Sequence, residues 1–284
     1  MKTFLKILAI VGLAPLPAAA ALTTQLVAYW DFEGNALNSS LASGGSAYNG
    51  TLIGNASLTG GATRVGSGSL VLDGAGDYLD VTSIVNVNQP WTVSAWYRAD
   101  LAPGGSTRFM IFESSGNNSF AISFGLREGS PTTNTNHQTF TDNTPGTDQN
   151  ASFNITDTAT ANTWYHVALA FTPSTPSSTG SLVTYINGNS TSTLTIPITD
   201  SLVVPTGFHI GTYRNADGRW FDGAIDEVAI WNRTLAATEI NNANTGVNAD
   251  SLYQRGLSGL AVPEPSVALL GGLGLLALLG RRQR

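Results

Sequence analysis

Residues 221–231 read Phe-Asp-Gly-Ala-Ile-Asp-Glu-Val-Ala-Ile-Trp, and this stretch decides the fold class. After the glycine, eight residues rich in apolar, β-branched and aromatic side chains are typical of a buried strand. Similar short runs recur along the chain between turn signals, as expected for strands. The predicted strands are Leu26–Phe32, Ser69–Leu72, Tyr78–Val81, Trp91–Arg98, Met110–Phe112, Phe120–Leu126, Trp164–Phe171, Leu182–Ile186, Phe208–Thr212 and Ala224–Trp231.

Turn signals between these runs favour antiparallel pairing. Asn187-Gly188 lies between two strand-like runs and is a strong hairpin signal. The one predicted helix is short, Ala236–Asn244, and the polar stretch Arg127–Ser152 is expected to be an inserted loop. Many strands with almost no helix predict an all-β sandwich of two antiparallel sheets.

Composition restricts the possible functions. The chain has 284 residues, no cysteine and only 11% charged residues. Between residues 21 and 260, eight arginines stand against eighteen carboxylates, a net charge of about −10. A domain this acidic offers no basic patch for phosphates, so we do not expect nucleic acid as a partner. The absence of cysteine excludes thiol chemistry and disulfides.

Both ends of the chain look like processing segments. Residues 1–21 predict a signal peptide, with Lys2 and Lys6 before an apolar run and alanines at 18–21. At the other end, Pro263, Glu264 and Pro265 precede an apolar run of about 15 residues, slightly short for a bilayer. The run ends in a basic cluster made of Arg281, Arg282 and Arg284. This cluster should stay cytoplasmic, which places the domain outside the inner membrane.

This three-part tail resembles the PEP-CTERM sorting signal. The resemblance implies a temporary anchor, an apolar helix in the inner membrane, that an exosortase-type protease recognises and removes. It also implies export in a bacterium that makes extracellular polysaccharide. A permanent anchor is the alternative. We therefore predict a signal peptide at 1–21, a jelly-roll domain at 22–250, a linker at 251–261 and a sorting tail at 262–284.

Several segments together resemble LamG-like domains, the laminin G or concanavalin A-like jelly rolls. They follow the family's order across residues 26–245, although Ala229 stands where the family more often has a basic residue. The resemblance implies a jelly roll of two stacked antiparallel sheets. The segments that carry it are 27–34, 48–52, 68–74, 77–79, 91–96, 164–168 and 221–235.

Carboxylates in this fold raise the question of catalysis. Laminarinase-type glycosidases of the same fold place acids at alternate positions of one strand, so that they share a face. Here Asp226 and Glu227 are adjacent, and a regular strand would send them to opposite faces. Positions 224 and 228 are apolar, so the hydrolase motif is absent and we predict no enzyme.

Asp226 still requires an explanation, because its expected face includes the apolar Val228 and Ile230. A buried carboxylate must be compensated. Related jelly rolls imply a structural calcium ion, with Asp31 and Glu33 of the first strand as further ligands. The alternative is that hydrogen bonds at a turn after Gly223 compensate Asp226.

A core and a ligand contact are also predicted. Trp220 follows a turn signal and is the one tryptophan expected outside the core, where it would contact a ligand. Strand parity predicts a core between the sheets made of Trp30, Phe32, Val93, Ala95, Val167, Leu169, Val228 and Ile230.

The favoured function is that of an exported, non-catalytic surface or extracellular-matrix protein. Its jelly roll is expected to bind glycan, exopolysaccharide or another envelope component. One alternative is a divergent polysaccharide hydrolase or lyase, and another is a purely structural matrix protein. Before processing the chain is expected to be anchored in the inner membrane, and afterwards to lie on the cell surface or outside the cell.

Overall fold

Fourteen strands account for nearly all the regular structure in the part of the chain that the computed structural model describes. That part comprises residues 22–39, 41–82, 89–101, 108–115, 121–128, 135–142, 150–174, 179–197, 207–213, 216, 218–241, 252 and 257. The strands are β1 Leu26–Trp30, β2 Thr51–Ile53, β3 Leu70–Asp73, β4 Tyr78–Thr82, β5 Trp91–Ala99, β6 Arg108–Ser115, β7 Ala121–Glu128, β8 Thr135–Asp142, β9 Asn150–Thr158, β10 Tyr165–Pro173, β11 Thr179–Ile186, β12 Asn189–Pro197, β13 Gly207–Ile210 and β14 Asp222–Trp231. A 3-10 turn spans Gly45–Tyr48, and helix α1 spans Ala237–Ile240.

The strands form two antiparallel sheets. Sheet 1 has the order β1-β14-β5-β10-β11-β12, with β3 also paired to β14, and sheet 2 has the order β2-β4-β13-β6-β7-β8-β9. The predicted two-sheet, all-β class is confirmed. The hairpin signal is confirmed as well, since Asn187 and Gly188 have φ angles of 49° and 79° and join β11 to β12.

A hydrophobic core fills the space between the inner faces of the two sheets. Alternate residues of β5 point into it, because successive side chains of a strand point to opposite faces. The prediction of core residues is confirmed, since every member is buried in this cluster. These members are Trp30, Phe32, Val93, Ala95, Val167, Leu169, Val228 and Ile230.

A second apolar cluster covers the outer face of sheet 1. Tyr29 and Trp231 come from the sheet itself, and Ile240 comes from helix α1. The cluster also contains residues from both ends of the described chain, namely Leu22, Leu252 and Leu257. Sheet 1 is therefore buried on both faces over this region.

Two predicted elements differ from the structure. The stretch Arg127–Ser152 was expected to be a loop, but it contributes β8 and the start of β9, which extend sheet 2. Its sequence is polar yet rich in threonine, whose β-branched side chain suits a strand. The predicted helix Ala236–Asn244 is observed as the single turn Ala237–Ile240, and residues 242–250 lie outside the described part.

The predicted signal peptide and sorting tail lie outside the described residues. Among the described residues, no helix has the length and apolar character needed to cross a membrane.

Candidate functional site

A β-bulge in β14 determines where the acidic residues of this strand point. Asp226 lies opposite Trp96 on β5, whereas Ala229 lies opposite Ser94, so β14 has one extra residue between them. Glu227 takes up this extra residue with a positive φ of 52°. As a result Ile225 and Val228 both face the inner core, and Asp226 lies on the outer face of sheet 1.

This bulge overturns two expectations. Asp226 does not share the inner face with Val228 and Ile230, because the extra residue shifts the parity of the strand between them. Asp226 and Glu227 do not point to opposite faces either, since Glu227 contacts Tyr29 and Leu257 of the outer cluster. The two carboxylates are neighbours on one face, and both are buried.

Backbone amides compensate the buried carboxylate of Asp226. Its Oδ2 accepts hydrogen bonds from the N–H groups of Arg64, at 2.9 Å, and Val65, at 3.1 Å. Its Oδ1 accepts from the N–H of Glu227 at 2.8 Å. The pKa of Asp226 is raised to about 7, because burial and the smaller effect of the Glu227 charge outweigh the three N–H groups, which lower it.

Glu33 holds the other end of the same loop. It accepts hydrogen bonds from Ser67 through both N–H and hydroxyl, the latter at 2.7 Å, and from the N–H of Gly68 at 3.2 Å. Burial raises the pKa of Glu33, but these hydrogen bonds outweigh it and the pKa is lowered overall. Gly66 allows this close approach, since a Cβ at this position would lie 1.9 Å from Oε1 of Glu33. Glu33 and Asp226 together clamp residues 64–68.

The three carboxylates predicted to bind calcium do not form a shared ligand set. Calcium requires six to eight oxygen ligands, and the oxygens of Asp226 and Glu33 point instead toward N–H and hydroxyl donors. Asp31 accepts a hydrogen bond from the N–H of Glu33 at 3.1 Å. Within the described ranges, no group of three or more His, Asp or Glu side chains is arranged to hold a metal ion. Calcium binding stays a prediction. Hydrogen bonds do compensate Asp226, but two of the three donors belong to residues 64 and 65 and not to a turn after Gly223.

An aromatic and basic layer surrounds Asp226 on the outer face. Trp96 lies between Asp226 and His166 in the register of the strands, and the guanidinium of Arg64 lies 4.0 Å from the Trp96 ring centroid. Burial, together with the charge of Arg64, lowers the pKa of His166 to about 3. His166 is therefore neutral at physiological pH. The packing of Arg64 on Trp96 supports the loop of residues 64–68.

A different surface forms where several strands end at one end of the sandwich. The described residues of the β13–β14 connection, 211–213, 216 and 218–221, lie here, and they include the predicted ligand contact Trp220. The guanidinium of Arg219 lies 3.6 Å from the ring centroid of Tyr213. Two hydrogen bonds fix the loop, from the N–H of Met110 to Arg219 at 3.0 Å and from the N–H of Phe221 to Gly211 at 2.8 Å.

Trp220 occupies an intermediate position in this loop. Its side chain is half-buried, and its Nε1 has no hydrogen-bond partner. A buried indole N–H normally has one. Trp220 thus differs from Trp30, Trp91 and Trp231, which are fully buried.

Carboxylates flank this loop on the neighbouring strand ends. Asp73 and Asp222 are direct partners across β3 and β14, and the N–H of Asp100 donates to the carbonyl of Asp222 at 3.0 Å. Burial raises the pKa of Asp222, and the charges of Asp100 and Asp73 raise it further. The same end carries the ion pair between Arg98 and Asp100.

We call Tyr213, Arg219, Trp220, Asp73, Asp100 and Asp222 the loop-end surface. Its carboxylates can accept hydrogen bonds from hydroxyl groups, its rings can contact apolar faces of a ligand, and its acidity disfavours phosphates. Of these residues, only Trp220 was predicted from the sequence as a ligand contact, and that role stays a prediction. The turn signal Asp73-Gly74 was the available indication, because it marks the end of β3 at this surface.

Comparison with known families gives two matches. A model described as the concanavalin A-like lectin/glucanases superfamily matches residues 73–241. A model of the PEP-CTERM protein-sorting motif matches residues 261–284. No curated protein matches the chain significantly.

Solved structures share the fold at low sequence identity. Domain 4 of AbnA, a GH43 extracellular arabinanase from Geobacillus stearothermophilus in complex with arabinotriose, is 20% identical with a TM-score of 0.54, and the match covers 75% of this chain and 95% of that one. The binding domain of botulinum neurotoxin serotype D is 17% identical with a TM-score of 0.55, covering 79% of this chain and 52% of that one. The binding domain of botulinum neurotoxin DC in complex with SialylT is 16% identical with a TM-score of 0.55, and the match covers 78% of this chain and 51% of that one. The match therefore spans only about half of each toxin domain.

Proposed function

The chain belongs to the concanavalin A-like lectin/glucanases superfamily, and on that premise we propose that it is an exported, non-catalytic glycan-binding protein. The observation that carries this proposal is the loop-end surface. There the half-buried Trp220 follows Arg219 of the Tyr–Arg pair and precedes the carboxylate of Asp222. Such a mixture of aromatic rings and hydrogen-bond acceptors suits a neutral or cationic sugar.

The acidic character of the surface narrows the ligand class. Asp73 and Asp100 are exposed, and the charges of both raise the pKa of Asp222. Phosphorylated or sulfated glycans would meet repulsion here, whereas neutral hydroxyl-rich chains would not. We therefore propose a neutral polysaccharide, such as part of an extracellular polysaccharide.

The tail determines how the domain reaches its ligand. The PEP-CTERM motif implies export and a transient membrane anchor before processing. We propose that the processed domain then stays at the cell surface or in the extracellular matrix, bound to polysaccharide.

Two observations support a binding role without turnover. Asp226 and Glu227 are buried on the outer face of sheet 1, where Asp226 holds the 64–68 loop. A carboxylate occupied in this way is not available to a glycosidic bond. Among the similar structures, an arabinanase domain is in complex with arabinotriose and a toxin binding domain is in complex with SialylT.

A glycan array with the processed protein tests this function. We expect binding to neutral polysaccharides that Trp220→Ala weakens at least tenfold, about 1.4 kcal/mol, and that Trp220→Phe partly retains. Leu37→Ala is the control, since Leu37 is 54% exposed in the loop after β1. Absence of binding to any glycan would favour a purely structural protein, and release of reducing ends would favour an enzyme. Either outcome overturns the proposal.

A further inference from the structure

The two ends of the described chain meet on the outer face of sheet 1. Leu22 is 1% exposed, and its carbonyl accepts a hydrogen bond from Nε1 of Trp231 at 2.6 Å. Leu252 and Leu257 are buried in the same cluster, at 2% and 4% exposure. Two residues of the segment expected to be a linker are therefore packed against the sheet.

A buried carboxylate receives this C-terminal segment. Glu227 accepts a hydrogen bond at Oε1 from the Tyr29 hydroxyl, at 2.8 Å, and at Oε2 from the N–H of Leu257, at 2.5 Å. Glu227 is only 4% exposed, and a buried carboxylate needs such donors. The C-terminal segment therefore supplies part of the compensation for Glu227, which a freely moving linker would not do.

The docked segment ends close to the sorting motif. Three residues, 258–260, separate Leu257 from position 261, where the motif begins, and the four Cα–Cα steps between these positions span at most about 14 Å. A protease needs its substrate extended and accessible, and a docked segment is neither. Leu257 is buried and its N–H is bound to Glu227, so we expect cleavage on the C-terminal side of Leu257.

We propose that Glu227 and the apolar cluster around it form a docking site for the chain's own C-terminal segment, and that this docking sets the C-terminal limit of the processed protein. The sorting protease then cuts a peptide bond on the C-terminal side of Leu257. Water adds across one peptide bond, leaving a new carboxylate on the domain and a new amine on the released tail. Leu22 lies in the same cluster, so both ends of the processed protein lie on the outer face of sheet 1. The uncleaved tail holds this face near the membrane until cleavage.

Processing of the full-length chain in a host that carries the sorting protease tests where the processed protein ends. Intact mass of the extracellular protein should give a C-terminus after residue 257. Deletion of residues 258–260 brings the motif against the docked segment and should slow processing at least tenfold. Adding Leu252→Asp and Leu257→Asp, which undock the segment, should restore processing. A C-terminus before Leu257, a deletion without effect or a failure of undocking to restore cleavage would overturn the proposal.

Hydrogen exchange of the processed wild-type protein keeps the test independent of variants that fold poorly. The amide of Leu257, which donates to Glu227, should exchange at least a hundredfold more slowly than in the unfolded chain. Leu257→Ala should remove much of this protection, whereas Leu37→Ala should not. Exchange of the wild-type segment at the unfolded rate would refute the docking. Glycan binding at the loop-end surface does not enter either readout, so the two proposals fail separately.

Discussion

Asp226→Asn should remove most of the pH dependence of stability that this buried carboxylate creates. In the folded protein burial raises the pKa of Asp226 to about 7, against an ordinary value of 3.8. The folded state thus holds the proton more tightly than the unfolded state between these pH values. This contribution is therefore most favourable below about pH 4 and is lost as the pH rises through 7.

The size of the effect follows from the difference in pKa. One pKa unit corresponds to about 1.4 kcal/mol, so the full shift is worth about 4 kcal/mol as an upper limit, of which about 2 to 3 kcal/mol falls between pH 5 and pH 8. The asparagine variant does not titrate. It also loses one acceptor for the N–H groups of Arg64, Val65 and Glu227, which costs about 1 kcal/mol at every pH.

Urea denaturation of the processed protein from pH 5 to pH 8 measures this difference. The gap in unfolding free energy between wild type and Asp226→Asn should change by about 2 to 3 kcal/mol, in favour of the variant as the pH rises. Titrating groups far from Asp226 cancel in that comparison. The exposed Asp100 provides the control, Asp100→Asn, whose curve should follow that of wild type more closely. Parallel curves for wild type and Asp226→Asn would refute the assigned pKa and its cause.

Three further predictions concern stability. Trp30→Ala should lower the unfolding free energy by about 3 to 5 kcal/mol in urea denaturation, since Trp30 is fully buried between the sheets; a loss below 1 kcal/mol would contradict its place in the core. Glu33→Ala should speed amide exchange at Ser67 and Gly68, which donate to its carboxylate, and unchanged exchange would show that the clamp does not hold this loop. Calcium and a chelator should leave the melting temperature unchanged if N–H groups alone compensate Asp226, whereas a rise with calcium that Asp226→Asn abolishes would establish the predicted ion.

The sequence predicted the fold where strand parity and turn chemistry are local. Val93, Val167 and Val228 were assigned to the core because apolar residues alternate along regular strands. The Asn187-Gly188 turn was recognised because its backbone angles favour those two residues. These features depend on neighbours along the chain, and they were correct.

Features that depend on distant neighbours were not predictable in this way. The bulge at Glu227 shifts the parity of Asp226, and no residue type in β14 predicts a bulge there. The polar strand β8 exists because its backbone pairs with β7 and β9, although its composition resembles a loop. The docking of Leu257 on Glu227 joins residues 30 positions apart through one hydrogen bond.

Equilibrium binding to extracellular polysaccharide fragments from the source organism tests the proposed function most directly. Titration calorimetry of the processed wild-type protein should detect binding, and Trp220→Ala should weaken it at least tenfold without lowering the melting temperature. Trp220 is only half-buried, so its removal should spare the fold. Equal binding by wild type and Trp220→Ala, or no binding by either, would contradict a glycan site on the loop-end surface.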